Sequence, residues 1–177
     1  MAVLARYLYL ANNLKGNKQM RVPVLDMRVN EQRIPYLRSV YETDITDDVK
    51  QDSAKKIAEV IQQAFHAASL PEERLWMISL DGACHMTGIF EIGRGTAIAS
   101  TVSQTQILQR ALLSGAVSVA ICHVHPSGDV TPSTADYQFT EKAKEVLEIC
   151  GIRFLDHVII SGANREEFYS FYNDGKL

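Results

Sequence analysis

The stretch HVHPSGDVTPSTAD, residues 123–136, contains the residue types that bind a catalytic metal ion. His123 and His125 follow an apolar run, and residues i and i+2 of an extended strand point the same way. Neutral imidazole is a good Zn²⁺ ligand, and a catalytic zinc site takes three protein ligands and one water. Asp136, in the first turn of a predicted helix, is the candidate third ligand. Such a site would lower the pKa of its water.

The same residues also fit an ordinary helix start. Ser133 is a favourable N-cap residue, Asp136 follows three positions later as in a capping box, and Pro132 suits the position before the cap. From the spacing alone, a helix cap and a metal site are both open, and they compete for the carboxylate of Asp136.

Hydrolysis at a metal site also needs a group that takes a proton from water and returns it to the leaving amine. A carboxylate on a neighbouring strand is the expected candidate. Glu73 stands at the entrance to the apolar run of residues 74–80, and Glu72 beside it would point the other way. Glu91, at the end of the next predicted strand, is a second candidate. For each of them the alternative is a solvated charge at a strand end.

The elements that must position these residues follow from the hydrophobic pattern. Apolar residues at helical spacing predict helices beginning at Asp52 or Ser53, running from Ser103 to Gly115, and covering residues 134–149. Apolar runs predict strands over residues 74–80, 86–92, 116–122, 153–160 and, near the end, in the FYSF stretch. Helices and strands in this order predict an α/β sandwich built on a mixed sheet.

The first 50 residues differ in character from the rest. Residues 22–29 alternate weakly and predict a strand, and residues 41–52 are acidic and polar, which is typical of a linker. Residues 1–40 carry seven Lys and Arg against Asp26 and Glu31, a net charge of +5, which leaves −8 for the remainder of a chain whose total is −3. A basic arm on an acidic body predicts contact with nucleic acid or an acidic partner, or else a solvated flank.

The composition limits the class of protein. With 46% hydrophobic and 22% charged residues, the chain is predicted to be a soluble globular domain. No segment approaches the roughly 20 apolar residues of a membrane span, and no signal peptide is recognised, so we expect a cytoplasmic protein. Cys84, Cys122 and Cys150 form no CxxC pair and are expected to be reduced, mostly buried thiols.

The spacing of His123, His125, Ser133 and Asp136 is H-x-H, seven residues, S, two residues, D, which is the JAMM signature of JAB/MPN metalloproteases. The preceding VSVAIC, the later GIRFLDHVIISG, the upstream EIGRGT and the ending FYSFYNDGKL resemble the RadC branch of that family. The resemblance covers roughly residues 50–177. RadC proteins usually have Asn where this chain has Val124, which is expected to point away from the metal. No helix-hairpin-helix signal occurs in residues 1–50, so the chain resembles the short RadC-like proteins.

The resemblance implies a cytidine-deaminase-like α/β fold with Zn²⁺ bound by His123, His125 and Asp136. It implies that Ser133 stabilises the oxyanion and that Glu73 is the general base. It also implies a metalloprotease domain over residues 51–177, preceded by a basic extension or linker over residues 1–50. Asp156 and His157 match the family's LDH string, and either a supporting role beside the metal or a purely structural role is open.

The leading hypothesis is therefore a Zn²⁺-dependent hydrolase that acts on a peptide or isopeptide substrate. The alternative is a DNA repair accessory protein that binds or cleaves nucleic acid, with the basic first 40 residues as its contact. A zinc nucleobase deaminase would need H-x-E and P-C-x-x-C, and the sequence contains neither motif.

Overall fold

The computed structural model describes residues 20–45, 51, 53–95 and 102–177, and within these ranges it contains seven strands and three α-helices. In chain order the elements are β1 (Met20–Val29), β2 (Pro35–Ile45), α1 (Ala54–Phe65), β3 (Arg74–Leu80), β4 (Met86–Arg94), α2 (Gln104–Leu113), β5 (Ser118–His125), α3 (Thr134–Ile149), β6 (Arg153–Ser161) and β7 (Phe168–Ser170). A short 3₁₀ helix, Ala67–Ser69, follows α1.

All seven strands form one sheet in the order β2-β1-β4-β3-β5-β6-β7. The pairs β1–β4 and β5–β6 are parallel, and the other four pairs are antiparallel. β5 lies inside the sheet between β3 and β6, which explains why seven of its eight residues are buried and why residues 119–122 are all apolar. The predicted α/β architecture, a mixed sheet flanked by helices, is confirmed.

Helices cover both faces of the sheet and form two hydrophobic clusters. α1 packs on one face, where its Ile61 joins Trp76 and Val124. α2 and α3 pack on the other face, where Phe139 joins Ile121. Because side chains alternate along β5, His123 and His125 project towards the α3 face and Val124 towards the α1 face. Each large apolar side chain that is fully buried in these clusters contributes about 1.5–3 kcal/mol.

The helix boundaries follow the predicted capping signals. The hydroxyl of Ser53 accepts from the N–H of Lys56 at the start of α1, and the Ser103 hydroxyl accepts from the N–H of Gln106 at the start of α2. Asp52, the alternative cap, lies outside the described residues. Gly115 follows α2 with a φ of 65°, a left-handed conformation that glycine adopts without a steric penalty.

The predicted linker over residues 41–52 is corrected for its first five residues. Residues 41–45 belong to β2 and not to a linker, because β2 pairs with β1 along its whole length; residues 46–50 and 52 lie outside the described part. β1 in turn joins β4 at Val24 and Ile89, so residues 20–45 extend the sheet. The division of the chain after residue 50 stays a prediction.

β5 also differs from the predicted strand over residues 116–122. It begins at Ser118 and continues through both histidines to His125. The reason is pairing on both sides: His123 lies opposite Leu75 of β3 and Ile159 of β6. The histidines are therefore held by the sheet and do not stand in the loop that follows it.

The cysteines are free thiols with different surroundings. Cys122 is buried, and burial raises the pKa of its thiol well above the ordinary value. Cys150 is exposed and Cys84 is half-buried, so the prediction of mostly buried thiols is wrong for Cys150. Among the described helices, none is long and apolar enough to cross a bilayer.

Candidate metal centre

The end of β5 and the start of α3 bring His123, His125 and Asp136 together. The Nε2 atoms of the two histidines are 2.9 Å apart. Asp136 Oδ1 is 3.3 Å from His123 Nε2, and Asp136 Oδ2 is 3.8 Å from His125 Nε2. His123 and Asp136 are 3% and 4% exposed, so the three groups meet in a nearly closed site.

The loop between β5 and α3 is fixed to the end of β6. The carbonyl oxygen of His125 accepts from the N–H groups of Gly128 and Gly162, at 3.0 and 2.9 Å. Ser161 Oγ donates to the carbonyl oxygen of Gly128 at 3.0 Å. Gly128 has a φ of 89°, which explains why the turn needs glycine there. The backbone around His125 is thus set by several independent hydrogen bonds.

The tautomer of His125 follows from the contact that its Nδ1 atom makes. Its Nδ1 lies 2.7 Å from the carbonyl oxygen of Asp129. A carbonyl oxygen only accepts, so Nδ1 carries the proton and donates it. In the neutral ring Nε2 then has a free lone pair, and it faces His123 and Asp136.

The three groups suit a Zn²⁺ ion. Ligand atoms about 2.0–2.1 Å from a tetrahedral ion lie about 3.3 Å apart. His123 Nε2 is 2.9 Å from His125 Nε2 and 3.3 Å from Asp136 Oδ1, and one ligand atom of each residue lies within 4.8 Å of the other two. Burial lowers the pKa of His123 to about 4, although Asp136 opposes the shift, so the imidazole is neutral as a metal ligand must be. Metal binding by these residues stays a prediction.

Asp136 is also part of the helix cap that the sequence left open. Its Oδ2 accepts from the N–H and the hydroxyl of Ser133, at 2.7 and 2.6 Å, while Oδ1 faces His123. Ser133 in return accepts from the N–H of Asp136, which completes a capping box. The two interpretations do not exclude each other, because the carboxylate uses one oxygen for each purpose. Ser133 holds the third candidate ligand, and its hydroxyl proton is directed at Asp136.

The three candidate general bases differ in their contacts. Glu72 pairs with Arg94 and Arg74, and Glu91 pairs with Arg74. Among the described residues, the carboxylate of Glu73 has no hydrogen bond or ion pair. Leu75 lies opposite His123 in the antiparallel ladder of β3 and β5, and this register, extended by two residues, puts Glu73 opposite His125.

Asp156 and His157 are neighbours in the sequence but contact different parts of the molecule. His157 Nε2 lies 2.8 Å from Nδ1 of His123, so this ring touches a candidate ligand. Asp156 instead accepts from the hydroxyl of Ser170 at 2.6 Å and from the N–H of Tyr172 at 3.0 Å, which fixes the C-terminal segment. Burial lowers the pKa of His157 well below its ordinary value and raises that of Asp156.

Sequence reasoning missed Thr140. Its hydroxyl donates to the carbonyl oxygen of Asp136 at 2.6 Å and lies 2.6 Å from Nδ1 of His157. Thr140 follows Asp136 by four residues, and this spacing puts both on one face of α3, which was the signal available in the sequence.

The predicted nucleic-acid contact over residues 1–40 lies only partly in the described structure. Three of its seven Lys and Arg fall in residues 1–19, outside the described part, and the other four are arginines of the β1–β2 hairpin. In the described hairpin, Arg28 pairs with Asp26 at 2.6 Å. Arg21 pairs with Glu42 and Asp44 at 3.9 and 3.5 Å. Over residues 20–45 four acidic residues balance the four arginines, so the described hairpin has no net charge, and nucleic acid as a partner stays a prediction.

Comparison with known proteins gives one family. The model of the RadC-like JAB domain matches residues 51–176, a range that contains the whole candidate metal centre. A UPF0758 protein of Flavobacterium johnsoniae is 32% identical over 127 residues, which are 72% of this chain and 54% of that relative. UPF0758 protein YkfG of Escherichia coli K12 is 34% identical over 112 residues, 63% of this chain and 69% of that relative. A UPF0758 protein of Pseudomonas syringae is 43% identical over 91 residues, 51% of this chain and 40% of that relative. The chain thus spans about half the length of several curated relatives that it matches.

Proposed function

Since the chain belongs to the family of RadC-like JAB domains, we propose that it is a zinc-dependent hydrolase of peptide or isopeptide bonds. One observation carries the proposal: two imidazole nitrogens and a carboxylate oxygen converge within 4.8 Å of one another at the buried end of β5. Three protein ligands of this kind leave a fourth position open, which is the arrangement of catalytic zinc sites.

Each ligand has a second contact that orients it. His125 donates from Nδ1 to the carbonyl oxygen of Asp129, which directs its Nε2 to the ion. Asp136 is fixed through Oδ2 by Ser133, which leaves Oδ1 for the ion. Bound there, Zn²⁺ would supply Lewis acidity that lowers the pKa of water and polarises a carbonyl group.

Glu73 is the proposed general base. Its carboxylate has no competing partner among the described residues, whereas Glu72 and Glu91 are engaged by arginines. It takes one proton from the attacking water, whose oxygen bonds to the carbonyl carbon. It then returns the proton to the nitrogen as the C–N bond breaks, so the products are a carboxylic acid and an amine.

Ser133 has two donors, and they serve different steps. Its N–H holds Oδ2 of Asp136 at 2.7 Å throughout. Its hydroxyl donates to the same oxygen at 2.6 Å in the resting site. To stabilise an oxyanion, the hydroxyl must turn its proton from Asp136 to the substrate, while the N–H keeps the aspartate in place.

Metal content and turnover together test this function. Protein purified without chelators should contain about one zinc per chain, and the zinc-loaded protein should cleave members of a fluorogenic peptide and isopeptide library. Asp136→Asn should lose both properties, because the amide keeps the shape of the side chain and its capping oxygen but removes the negative charge.

Glu141→Gln is the matched control, since Glu141 is an exposed carboxylate on the same helix. It should keep wild-type zinc content and turnover. Zinc content that is the same in Asp136→Asn as in wild type would contradict the assigned site. A zinc-loaded protein that cleaves no member of the library would contradict the assigned reaction.

A further inference from the structure

His157 is a fully buried polar ring that the proposed reaction does not use. It is 0% exposed and lies between the candidate ligand His123 and Thr140 of α3. Its Nε2 is 2.8 Å from Nδ1 of His123, and its Nδ1 is 2.6 Å from the Thr140 hydroxyl. Both ring nitrogens therefore have a partner within hydrogen-bond distance.

His123, His157, Thr140 and the carbonyl oxygen of Asp136 form a series of hydrogen bonds, and the direction of each bond follows from that carbonyl oxygen. The carbonyl oxygen of Asp136 can only accept, so Thr140 donates its hydroxyl proton to it at 2.6 Å. A hydroxyl has one proton, so the Thr140 oxygen must accept from Nδ1–H of His157. In a neutral ring the Nε2 of His157 is then an acceptor, and the proton between the two histidines belongs to Nδ1 of His123.

We propose that His157 is a positioning residue that, held by Thr140, fixes His123 in the tautomer with its proton on Nδ1. This inference rests on the proposed metal site. It assigns the lone pair of His123 to Nε2, the atom that faces His125 and Asp136. The other tautomer would put an N–H on that atom and block it as a ligand.

The series of hydrogen bonds joins two candidate ligands to each other. It begins at the His123 ring, passes through His157 and Thr140, and ends at the main-chain carbonyl of Asp136. One set of contacts therefore fixes the proton of the first ligand and the helical turn that carries the third.

Packing gives His157 a second possible role, and the experiment must separate the two. Its ring stacks on Phe171 with centroids 4.9 Å apart and an interplanar angle of 7°. Phe139 contacts it edge-on at 5.6 Å. A ring that only fills this aromatic pocket could be replaced by phenylalanine without consequence for the metal.

Two pairs of variants separate hydrogen bonding from packing. His157→Phe keeps the stacked ring and removes both nitrogens, while His157→Gln loses the ring but offers an amide oxygen as an acceptor. Thr140→Val keeps the shape and removes the hydroxyl, while Thr140→Ser keeps the hydroxyl. The measurements are Zn²⁺ affinity by competition with a chromogenic chelator, and long-range ¹H–¹⁵N spectra of the imidazoles in the metal-free protein.

We expect His157→Phe and Thr140→Val to weaken Zn²⁺ binding about 10- to 100-fold. Thr140→Ser should stay within a few-fold of wild type, and His157→Gln should bind more tightly than His157→Phe. The wild-type spectra should show the His123 proton on Nδ1. Circular dichroism checks that each variant is folded, and the Thr140 pair carries the test if the His157 variants are not.

Wild-type affinity in both His157→Phe and Thr140→Val, or a wild-type spectrum with the His123 proton on Nε2, would overturn the inference. Failure of the wild-type protein to bind zinc would instead overturn the proposed function. In that case the spectra of the metal-free protein still decide the tautomer of His123, so the two failures are distinguishable.

Discussion

Ser133 and Asp136 hold each other through three hydrogen bonds that involve their side chains. The N–H and hydroxyl of Ser133 donate to Asp136 Oδ2, and the Ser133 hydroxyl accepts from the N–H of Asp136. The helix cap and the candidate third ligand are therefore one structure. A change in the cap must alter the position of the carboxylate that faces His123.

Removal of this cap should affect both folding and metal binding. We expect Ser133→Ala to lower the free energy of unfolding of the metal-free protein by about 1 kcal/mol, as for other N-cap serines. It should also weaken Zn²⁺ binding about 10-fold, because Asp136 loses a hydrogen bond that orients it. Chemical denaturation and chelator competition measure the two effects.

Ser103, the N-cap of α2, is the matched control. Ser103→Ala should lower the unfolding free energy by a similar amount and leave zinc affinity unchanged. Equal zinc affinities in Ser133→Ala and wild type would contradict the link between cap and ligand.

The proton transfer assigned to Glu73 predicts a variant that binds zinc but does not turn over. We expect Glu73→Gln to keep one zinc per chain and to lose about 10²- to 10⁴-fold in turnover, the usual contribution of a general base. Glu72→Gln and Glu91→Gln should keep most of their turnover, because these carboxylates form ion pairs with Arg94 and Arg74. Steady-state rates on one cleaved peptide measure this. A turnover loss that is larger in Glu91→Gln than in Glu73→Gln would transfer the role to Glu91.

Gly162 lies where the loop of His125 passes closest to the end of β6. A Cβ at this position would come within 2.7 Å of Pro126 Cα and 2.8 Å of the carbonyl oxygen of His125. Because both contacts are main chain, Gly162→Ala must displace the loop. We expect it to cost about 1–3 kcal/mol in unfolding free energy and to weaken zinc binding.

Gly82→Ala is the control, since a Cβ there would meet no atom within 4 Å. Its unfolding free energy should stay within about 0.5 kcal/mol of wild type. Unchanged stability and zinc affinity in Gly162→Ala would show that the loop tolerates the displacement and would contradict the prediction.

The buried His157 should make the metal-free protein less stable at low pH. Burial lowers its pKa in the folded state well below the ordinary value of 6.5, so below pH 6.5 the unfolded chain binds a proton that the folded chain does not. The free energy of unfolding therefore suffers no loss from His157 above pH 6.5. It falls as the pH drops from 6.5 towards the pKa of His157 in the folded state.

Substitution of His157 should remove part of that pH dependence. We expect His157→Phe to reduce the slope of unfolding free energy against pH by up to about 1.4 kcal/mol per pH unit below pH 6.5. Urea denaturation from about pH 4.5 to about pH 7.5 measures the slope on both sides of the ordinary histidine pKa of about 6.5. His66→Asn, a change at an exposed histidine, should keep the wild-type slope. An unchanged slope in His157→Phe would mean that His157 takes up its proton without unfolding.

The sequence was informative where the core imposes a clear pattern. β5 is apolar because it lies inside the sheet, and α3 is bounded by Ser133 and Gly151, so both elements were predictable. β2 was missed because most of its side chains are exposed. An exposed edge strand has no hydrophobic alternation, and only its pairing with β1 identifies it.

The site was predictable to the extent that its residues lie close in the sequence. His123, His125, Ser133 and Asp136 fall within one strand-loop-helix unit, so their spacing carries the signal. The contact of His157 with His123 depends on the β5–β6 register, in which Ile121 lies opposite His157. The contact of His157 with Thr140 depends on how α3 packs over β6. Neither relationship can be obtained from spacing along the chain.

The most direct test of the account is a crystal structure of the zinc-loaded protein with anomalous data at the zinc edge. We predict one zinc ion about 2.0–2.2 Å from His123 Nε2, His125 Nε2 and an oxygen of Asp136, with water at the fourth position. An anomalous peak elsewhere in the molecule, or no peak between these three side chains, would contradict the assignment of this site.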